Sequence, residues 1–204
     1  MTAVKICGIT RREDAEAAVR FGADFVGFVL WPRSPRAATL ELVDRLRRKL
    51  PEHVTPVGVF VNPSADEVRS GHKAGIRMAQ IHGEVPDWGE DRPRLVIVRA
   101  VHLAASGEGI EPDVPDTEHL ILLDAHDPVK HGGTGQTVDW ARAAAIARSR
   151  DLFLAGGLTP DNVKQAIAAV KPMAVDVASG VESSPGIKDH DRLREFIERA
   201  KEQV

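Results

Sequence analysis

The stretch VKICGITRREDAEAAVRFGADFVGFVL, residues 4 to 30, decides the fold class. It begins and ends with short apolar runs, VKICGI and FVGFVL, that have the length and β-branched content of buried strands. The segment RREDAEAAVRFG between them has helical spacing and a polar face. Parallel neighbouring strands need a connection of about a dozen residues, so this stretch predicts a parallel strand, helix, strand unit.

The same alternation continues through the rest of the chain. Six more apolar runs follow, namely TPVGVFV (55 to 61), MAQIHG (78 to 83), LVIVRAV (95 to 101), HLILLDA (119 to 125), DLFLAGG (151 to 157) and AVDVASGV (174 to 181). Five more segments have helical spacing: TLELVDRLRRKL, SADEVRSGHKAG, TVDWARAAAIARS, TPDNVKQAIAAV and KDHDRLREFIERAKEQ. Several of them open with Ser, Thr or Asp followed by Pro or an acid, which is typical of helix starts.

Eight strands alternating with helices predict closure into a single-domain (β/α)8 TIM barrel spanning residues 1 to 204. The length of 204 residues is near the lower limit for this fold, so some helices must be short or missing. We expect a loop in place of the helix after strand 5, in the Gly- and Pro-rich segment 102 to 118, and only a short helix within 84 to 93. A doubly wound open sheet is the competing fold, but it offers no obvious place for eight evenly spaced strands.

Composition excludes several functional classes. The net charge is -3, only 4% of residues are aromatic, and basic residues are scattered, which argues against a nucleic-acid partner. The start MTAVKICGIT has no apolar signal-peptide core, and no apolar run approaches the length of a membrane span, so we expect a cytoplasmic protein without a membrane partner. The single cysteine rules out an intramolecular disulfide and fits a reducing compartment.

Polar residues occupy the strand faces that should point into the barrel. In strand 1 the apolar Val4 and Ile6 should face the helices, so alternation turns the residues between and after them inward. The same parity applied to strands 4, 6 and 8 predicts an interior that contains Lys5, Cys7, Gln80, His82, Asp124 and Asp176. A purely structural barrel core would favour branched apolar residues, so this polar set indicates a working site.

Each of these residues also has a simpler interpretation. Cys7 alone fits a small buried apolar residue, because free cysteine is commonly buried. His82 fits a hydrogen-bonded structural histidine, and Lys5 with Asp176 fits a buried ion pair. Asp124 is the hardest to dismiss, since it follows the apolar stretch HLILL and a carboxylate at that position needs a partner.

Two other features point to an anionic ligand. Glycine-rich loops follow strands 6, 7 and 8: HGGTGQT (131 to 137), AGGLTPDN (155 to 162) and ASGVESSPG (178 to 186). Such loops let backbone N-H groups approach a phosphate, which barrels of this type commonly bind after strands 7 and 8. The loop WPRSPRAAT (31 to 39) carries Arg33 and Arg36, stiffened by two prolines. Either arginine fits a carboxylate ligand or a solvated surface position.

Together these pieces resemble the phosphoribosylanthranilate isomerase family of tryptophan biosynthesis. The resemblance runs in order from residue 5 to 182, in the motifs KICGIT with EDA, GFVLWPRSPR, VGVFVN, QIHG, LLDA, GGTGQTVDW, LAGGLTPDNV and DVASGVE. It implies an Amadori rearrangement of N-(5-phosphoribosyl)anthranilate to 1-(2-carboxyphenylamino)-1-deoxyribulose 5-phosphate.

The resemblance also implies roles for individual residues. Asp124 would be the general acid and Cys7 the general base, while Arg36 would hold the anthranilate carboxylate. The phosphate would be held by backbone groups around four residues, Gly133, Gly157, Ser179 and Gly180. We expect Lys5, Gln80, His82 and Asp176 to support them, with Lys5 either lowering the pKa of the Cys7 thiol or offsetting Asp176. The chemistry requires no metal and no organic cofactor.

Two alternatives compete with this function. The histidine-pathway isomerase performs the same rearrangement on another phosphoribosyl substrate, but it resembles a longer barrel with internal two-fold repetition and an aspartate in place of Cys7. A non-catalytic phosphate-binding barrel would explain the glycine loops but would leave Cys7, Asp124 and Arg36 unexplained together. The expected partner is a small phosphoribosyl molecule, and the chain is expected to be a monomer or a homodimer.

Overall fold

The structure, a computed structural model, describes residues 1–103, 119–125 and 139–202. In these ranges the strands are β1 (Ala3–Ile6), β2 (Phe25–Val29), β3 (Thr55–Val61), β4 (Met78–His82), β5 (Val96–Leu103), β6 (Leu120–Ala125), β7 (Leu152–Leu154), β8 (Ala174–Val177), β9 (Glu182–Ser184) and β10 (Ile187–Lys188). The α-helices are α1 (Arg12–Phe21), α2 (Leu40–Arg47), α3 (Ala65–Lys73), α4 (Trp140–Ala147), α5 (Val163–Val170) and α6 (His190–Lys201).

The predicted barrel is confirmed. Strands β1 to β8 form a closed barrel in chain order, and every neighbouring pair is parallel. Closure occurs between β1 and β8, where Lys5 lies opposite Asp176 in register. β9 and β10 form a separate antiparallel pair after β8, beyond the eight predicted strands. Parallel closure brings all the strand ends that carry polar residues to one rim.

Several strands are shorter than the apolar runs that predict them. β1 ends at Ile6 although its apolar run continues to Ile9, and β8 ends at Val177, where a single 3-10 turn (Ser179–Val181) follows. Ile9 and Val181 are both fully buried in the loops after their strands. Apolar composition therefore marks burial here and overstates strand length.

Two segments were predicted to depart from the regular strand and helix alternation, and the structure describes only one of them fully. The short helix expected within 84 to 93 is absent: apart from a turn at 89 to 90, the segment has no regular secondary structure. Arg69 of α3 holds this segment by donating to the backbone carbonyls of Trp88 and Asp91 at 2.8 and 2.9 Å. The loop predicted in place of a helix after strand 5 lies outside the described residues, apart from the end of β5.

Four of the six α-helices in the described ranges begin at a residue whose side chain caps them. Ser64 and Glu67 form a reciprocal capping box at α3, while Thr39, Asp139 and Asp189 cap α2, α4 and α6 with their side chains. No helix in the described ranges is long and apolar enough to cross a membrane.

The core has an outer and an inner layer. The outer layer packs the outward faces of the strands against the helices and includes Val4, Ile6 and Phe196. The inner layer fills the barrel with apolar side chains such as Val57 and Phe153. The polar residues predicted to point inward lie at the other end of the interior, next to the carboxyl ends of the strands.

Candidate active site

A cavity opens at the carboxyl ends of the barrel strands. Most of the predicted site residues line it: Cys7, Arg36, Gln80, His82, Asp124, Gly157, Asp176, Ser179 and Gly180. Lys5 lies beneath the cavity and is only 1% exposed. Gly133 lies outside the described residues. Strand parity and loop position therefore predicted that these residues lie around one cavity, and the structure places them there. Their roles remain predictions.

A chain of hydrogen bonds crosses the floor of the cavity. The Lys5 ammonium donates to Gln80 Oε1 at 2.8 Å and to Asp176 Oδ2 at 2.9 Å. Because Oε1 of Gln80 accepts from Lys5, its amide nitrogen faces His82 Nε2, 2.9 Å away. An amide nitrogen can only donate, so His82 Nε2 accepts and its ring proton sits on Nδ1. One buried lysine therefore fixes an aspartate, an amide orientation and a histidine tautomer.

The charges around Cys7 act in opposite directions on its thiol. Burial raises the pKa of Cys7 above its ordinary value, and the positive charge of Lys5 offsets only part of this rise. Asp176 raises the pKa of the thiol further, while Lys188 lowers it. The expected help from Lys5 is therefore present, but the net effect favours the protonated thiol in the free protein.

Lys5 itself responds to the same neighbours. Burial alone would lower the pKa of Lys5, but Asp176 and Cys7 outweigh burial and raise it. The ammonium is thus held in its charged form beneath the thiol. This arrangement allows Lys5 to stabilise a thiolate once one forms.

Asp124 is placed on the opposite side of the cavity. It lies near the end of β6, three strands away from β1 around the barrel, and is half-buried. His102 of β5 lies beside it in register, and the His102 ring centroid is 5.8 Å from that of His82. The alternation pattern did not single out His102. A carboxyl group and the lone thiol therefore border one space from different sides.

The structure separates the two arginines of the loop after β2. Arg33 is exposed and does not line the cavity, whereas Arg36 is 17% exposed in its side chain and does. Arg33 therefore fits the solvated surface position, whereas Arg36 borders the cavity and its ligand-binding role stays a prediction. Trp31, from the same loop, also lines the cavity and was not identified from the sequence.

Arg36 belongs to an ion network that sequence reasoning missed. Its Nε and Nη2 donate to Glu182, with Nε to Oε1 at 2.9 Å and Nη2 to Oε2 at 2.7 Å. The ammonium of Lys188 donates to Glu182 Oε1 at 2.8 Å. Burial alone would raise the pKa of Glu182, but Arg36 and Lys188 hold it below its usual range. The only signal in the sequence was that Glu182 ends the motif DVASGVE.

The loops after β7 and β8 contain glycines that their backbone geometry requires. Gly156 and Gly157 have φ values of 79° and 64°, in the left-handed region that favours glycine. At Gly180 an added Cβ would clash with the carbonyl oxygen of Leu158, so the two loops approach each other closely there. Ser179 and Gly180 begin the 3-10 turn beside the cavity. In the described part of the chain no cluster of His, Cys, Asp or Glu side chains could hold a metal ion.

Comparison with known proteins gives one consistent result. The family model for N-(5'-phosphoribosyl)anthranilate isomerase matches residues 4–199. The N-(5'-phosphoribosyl)anthranilate isomerase of Geobacter sp. (strain M21) is 45% identical, over 98% of each chain. The crystal structure of phosphoribosyl anthranilate isomerase from Thermotoga maritima matches with a TM-score of 0.85 at 40% identity, covering 98% of this chain and 99% of that one.

A second solved structure contains a ligand. It is phosphoribosyl anthranilate isomerase in complex with reduced 1-(o-carboxyphenylamino)-1-deoxyribulose 5-phosphate. It matches with a TM-score of 0.80 at 38% identity, and the match covers 98% of this chain and 99% of that one.

Proposed function

The chain belongs to the N-(5'-phosphoribosyl)anthranilate isomerase family, enzymes of tryptophan biosynthesis, and from this premise we propose how its residues divide the reaction. The chain is an isomerase of the intramolecular oxidoreductase class, which interconverts an aldose and a ketose. The proposed assignment is Asp124 as general acid and Cys7 as general base.

The first step opens the ribose ring. Asp124, protonated at the outset, gives its proton to the ring oxygen as the bond from C1 to that oxygen breaks. The nitrogen lone pair forms the C1-N double bond, which leaves a cationic iminium. The position of Asp124 at the end of β6, bordering the cavity, supports this role.

The second step removes the C2 proton. The Cys7 thiolate accepts it, and the C2-H electron pair moves into the iminium to give a neutral enolamine, which then tautomerises to the ketone. Because burial raises the pKa of Cys7, the thiolate needs positive charge close by. Lys5 supplies one such charge permanently, and the iminium supplies a second only after the ring has opened.

The two ends of the substrate carry negative charge and need separate binding groups. Arg36 would hold the anthranilate carboxylate, because its guanidinium borders the cavity and has donors left after its contact with Glu182. Backbone N-H groups around Gly133, Gly157, Ser179 and Gly180 would hold the phosphate. Three of these four residues border the cavity, while Gly133 lies outside the described residues.

The observation that carries this proposal is that the only thiol of the chain, Asp124 and Arg36 all line one cavity. Loss of substrate fluorescence measures turnover of N-(5-phosphoribosyl)anthranilate directly. Cys7→Ser and Asp124→Asn should each lower kcat by about 100- to 10,000-fold, the range for removal of a general acid or base. Circular dichroism checks that the variants stay folded.

Asp191→Asn is the matched control, since the Asp191 side chain is 87% exposed on α6. It should retain wild-type turnover. Near-wild-type turnover in Cys7→Ser or Asp124→Asn would remove that residue from the mechanism. The substrate of the histidine-pathway isomerase, assayed in parallel, should not be converted.

A further inference from the structure

A buried row of alternating charges leads from the β9–β10 pair to the cavity. It begins at Lys188, passes through Glu182 and ends at Arg36, whose side chain is the only partly exposed member of the three at 17%. The Glu182 side chain is 4% exposed and that of Lys188 is fully buried. Lys188 also donates to the carbonyl oxygen of Ala178 at 3.1 Å.

This arrangement has one more cation than a buried ion pair needs. A buried carboxylate is neutralised by one partner, and each added buried charge costs free energy unless it is compensated. Burial lowers the pKa of Lys188, yet its ammonium is held by a carboxylate and a carbonyl. The three side chains therefore carry a net charge of about +1, and the uncompensated charge lies at the Arg36 end, next to the cavity.

The contact with Glu182 leaves a defined edge of the guanidinium unused. A guanidinium has five N-H donors in a rigid fork, and Glu182 takes the side edge formed by Nε and Nη2. Nη1 makes no hydrogen bond to any residue that the structure describes. The end edge, formed by Nη1 and the second N-H of Nη2, has the spacing that a second carboxylate accepts.

We propose that Glu182 is a positioning residue for substrate binding: it grips the side edge of Arg36 so that the end edge meets the carboxylate of the substrate. The inference rests on the proposed role of Arg36. Binding then completes the alternation of charge, from Lys188 through Glu182 and Arg36 to the substrate carboxylate, and the row becomes neutral. Lys188 keeps Glu182 ionised by acting from its other side.

The surrounding backbone fits this positioning role. The Cδ of Arg36 passes over Gly8, where an added Cβ would lie 2.7 Å from it, and Gly8 has a φ of 74°. The residue after Cys7 therefore leaves room for the arginine stem. Gly186 N donates to Glu182 Oε1 at 3.3 Å, so the carboxylate is fixed by backbone as well as by side chains.

Equilibrium binding tests this proposal without depending on catalysis. The first probe is reduced 1-(o-carboxyphenylamino)-1-deoxyribulose 5-phosphate. The second probe is its analogue with aniline in place of anthranilate, and this analogue lacks the carboxylate. Titration calorimetry gives Kd for both probes. Glu182→Gln keeps the shape but removes the charge, so it should weaken binding of the carboxylate probe about tenfold through lost preorganisation. Binding of the aniline probe should be unchanged.

Two further variants separate positioning from a general effect on the fold. In an Arg36→Met background, Glu182→Gln should add no further loss, because the residue that it orients is gone. Glu182→Asp keeps the charge beside Lys188 but draws the carboxylate back, and should give an intermediate loss for the carboxylate probe only. Glu195→Gln, which breaks a surface pair with Arg199, is the matched control and should bind both probes normally.

The outcomes discriminate clearly. Loss confined to the carboxylate probe, and absent in the Arg36→Met background, supports the proposal. Equal loss for both probes, an additive loss in that background, or no loss at all overturns it. If neither Glu182 variant folds, Glu182 serves the fold and the proposal is wrong. If the acid and base assignment is wrong instead, kcat stays near the wild-type value in Cys7→Ser or Asp124→Asn. The affinities of the Glu182 variants do not depend on that result, so the two failures can be told apart.

Discussion

Replacing Lys5 by methionine would separate two effects of this buried ammonium: its stabilisation of the barrel and its effect on the pKa of Cys7. Methionine has a similar length but carries no charge, so Asp176, which is 7% exposed, would lose the cation 2.9 Å from its Oδ2. Breaking a buried ion pair by removing one partner costs about 3–5 kcal/mol. For a chain of this size, each kcal/mol lowers Tm by about 2–4 °C, so we expect a fall on the order of 10 °C.

The double variant Lys5→Met with Asp176→Asn isolates the second effect. It removes both charges, so no buried carboxylate is left unpaired and much of the lost stability should return. The two charges act oppositely on Cys7, with Lys5 lowering the pKa of the thiol and Asp176 raising it. The pKa of Cys7 should therefore rise in the single Lys5 variant, fall in Asp176→Asn, and change least in the double variant.

Alkylation of Cys7 by iodoacetamide as a function of pH measures this directly, since the chain has one cysteine and no background thiol. The wild-type rate should rise only above the pH at which an ordinary thiol ionises, near 8.5. A Lys5→Met profile that coincides with the wild-type profile would refute the electrostatic role of Lys5. A rise of the thiol pKa in Asp176→Asn would refute the opposing role of Asp176.

Two further predictions concern other parts of the molecule. Arg36→Lys should raise KM about 10- to 100-fold with a smaller change in kcat, because lysine cannot contact Glu182 and a substrate carboxylate through two edges at once. Initial rates measure both constants, and Arg33→Lys is the control. An unchanged KM would contradict this prediction. Asp14→Asn should lower the free energy of unfolding by about 2–3 kcal/mol at pH 7, since the buried carboxylate accepts from Arg11 and His190. Burial alone would raise the pKa of Asp14, but its hydrogen bonds hold it below the usual value, so this stabilisation is present above about pH 4 and is lost as pH falls further. Urea unfolding should therefore show a smaller difference between the variant and the wild type at pH 3 than at pH 7, and an equal difference would contradict this.

The fold could be predicted because its signals are local. Each strand and helix shows its own periodicity, and strand 1 alone gives the parity that puts Lys5 inside the barrel and Ile6 outside. The strand ends could not be predicted, because Ile9 and Val181 are buried by loops that continue the apolar pattern. Local composition indicates burial, whereas the end of a strand depends on its hydrogen bonds to the neighbouring strand.

The site could be predicted only where it follows from strand parity or from a motif. Gln80 and Asp176 are brought to Lys5 by the barrel itself, so alternation was enough to place them. Glu182 reaches Arg36 across 146 positions of sequence, through the β9–β10 pair that no apolar run predicts. An ion pair between two loops leaves no periodic signal, so only the folded structure reveals it.

The same electrostatics explain why a thiol with a raised pKa suits the proposed reaction. A permanent thiolate at Cys7 would repel the carboxylate and phosphate of the substrate, and it would be more open to oxidation. Burial keeps the thiol neutral while these anions bind, and Lys5 remains charged beneath it. Ring opening then creates a cation at C1, next to the proton to be removed, which lowers the pKa of Cys7 so that the thiol releases its proton to solvent and the resulting thiolate accepts the C2 proton. The base is therefore switched on by its own substrate.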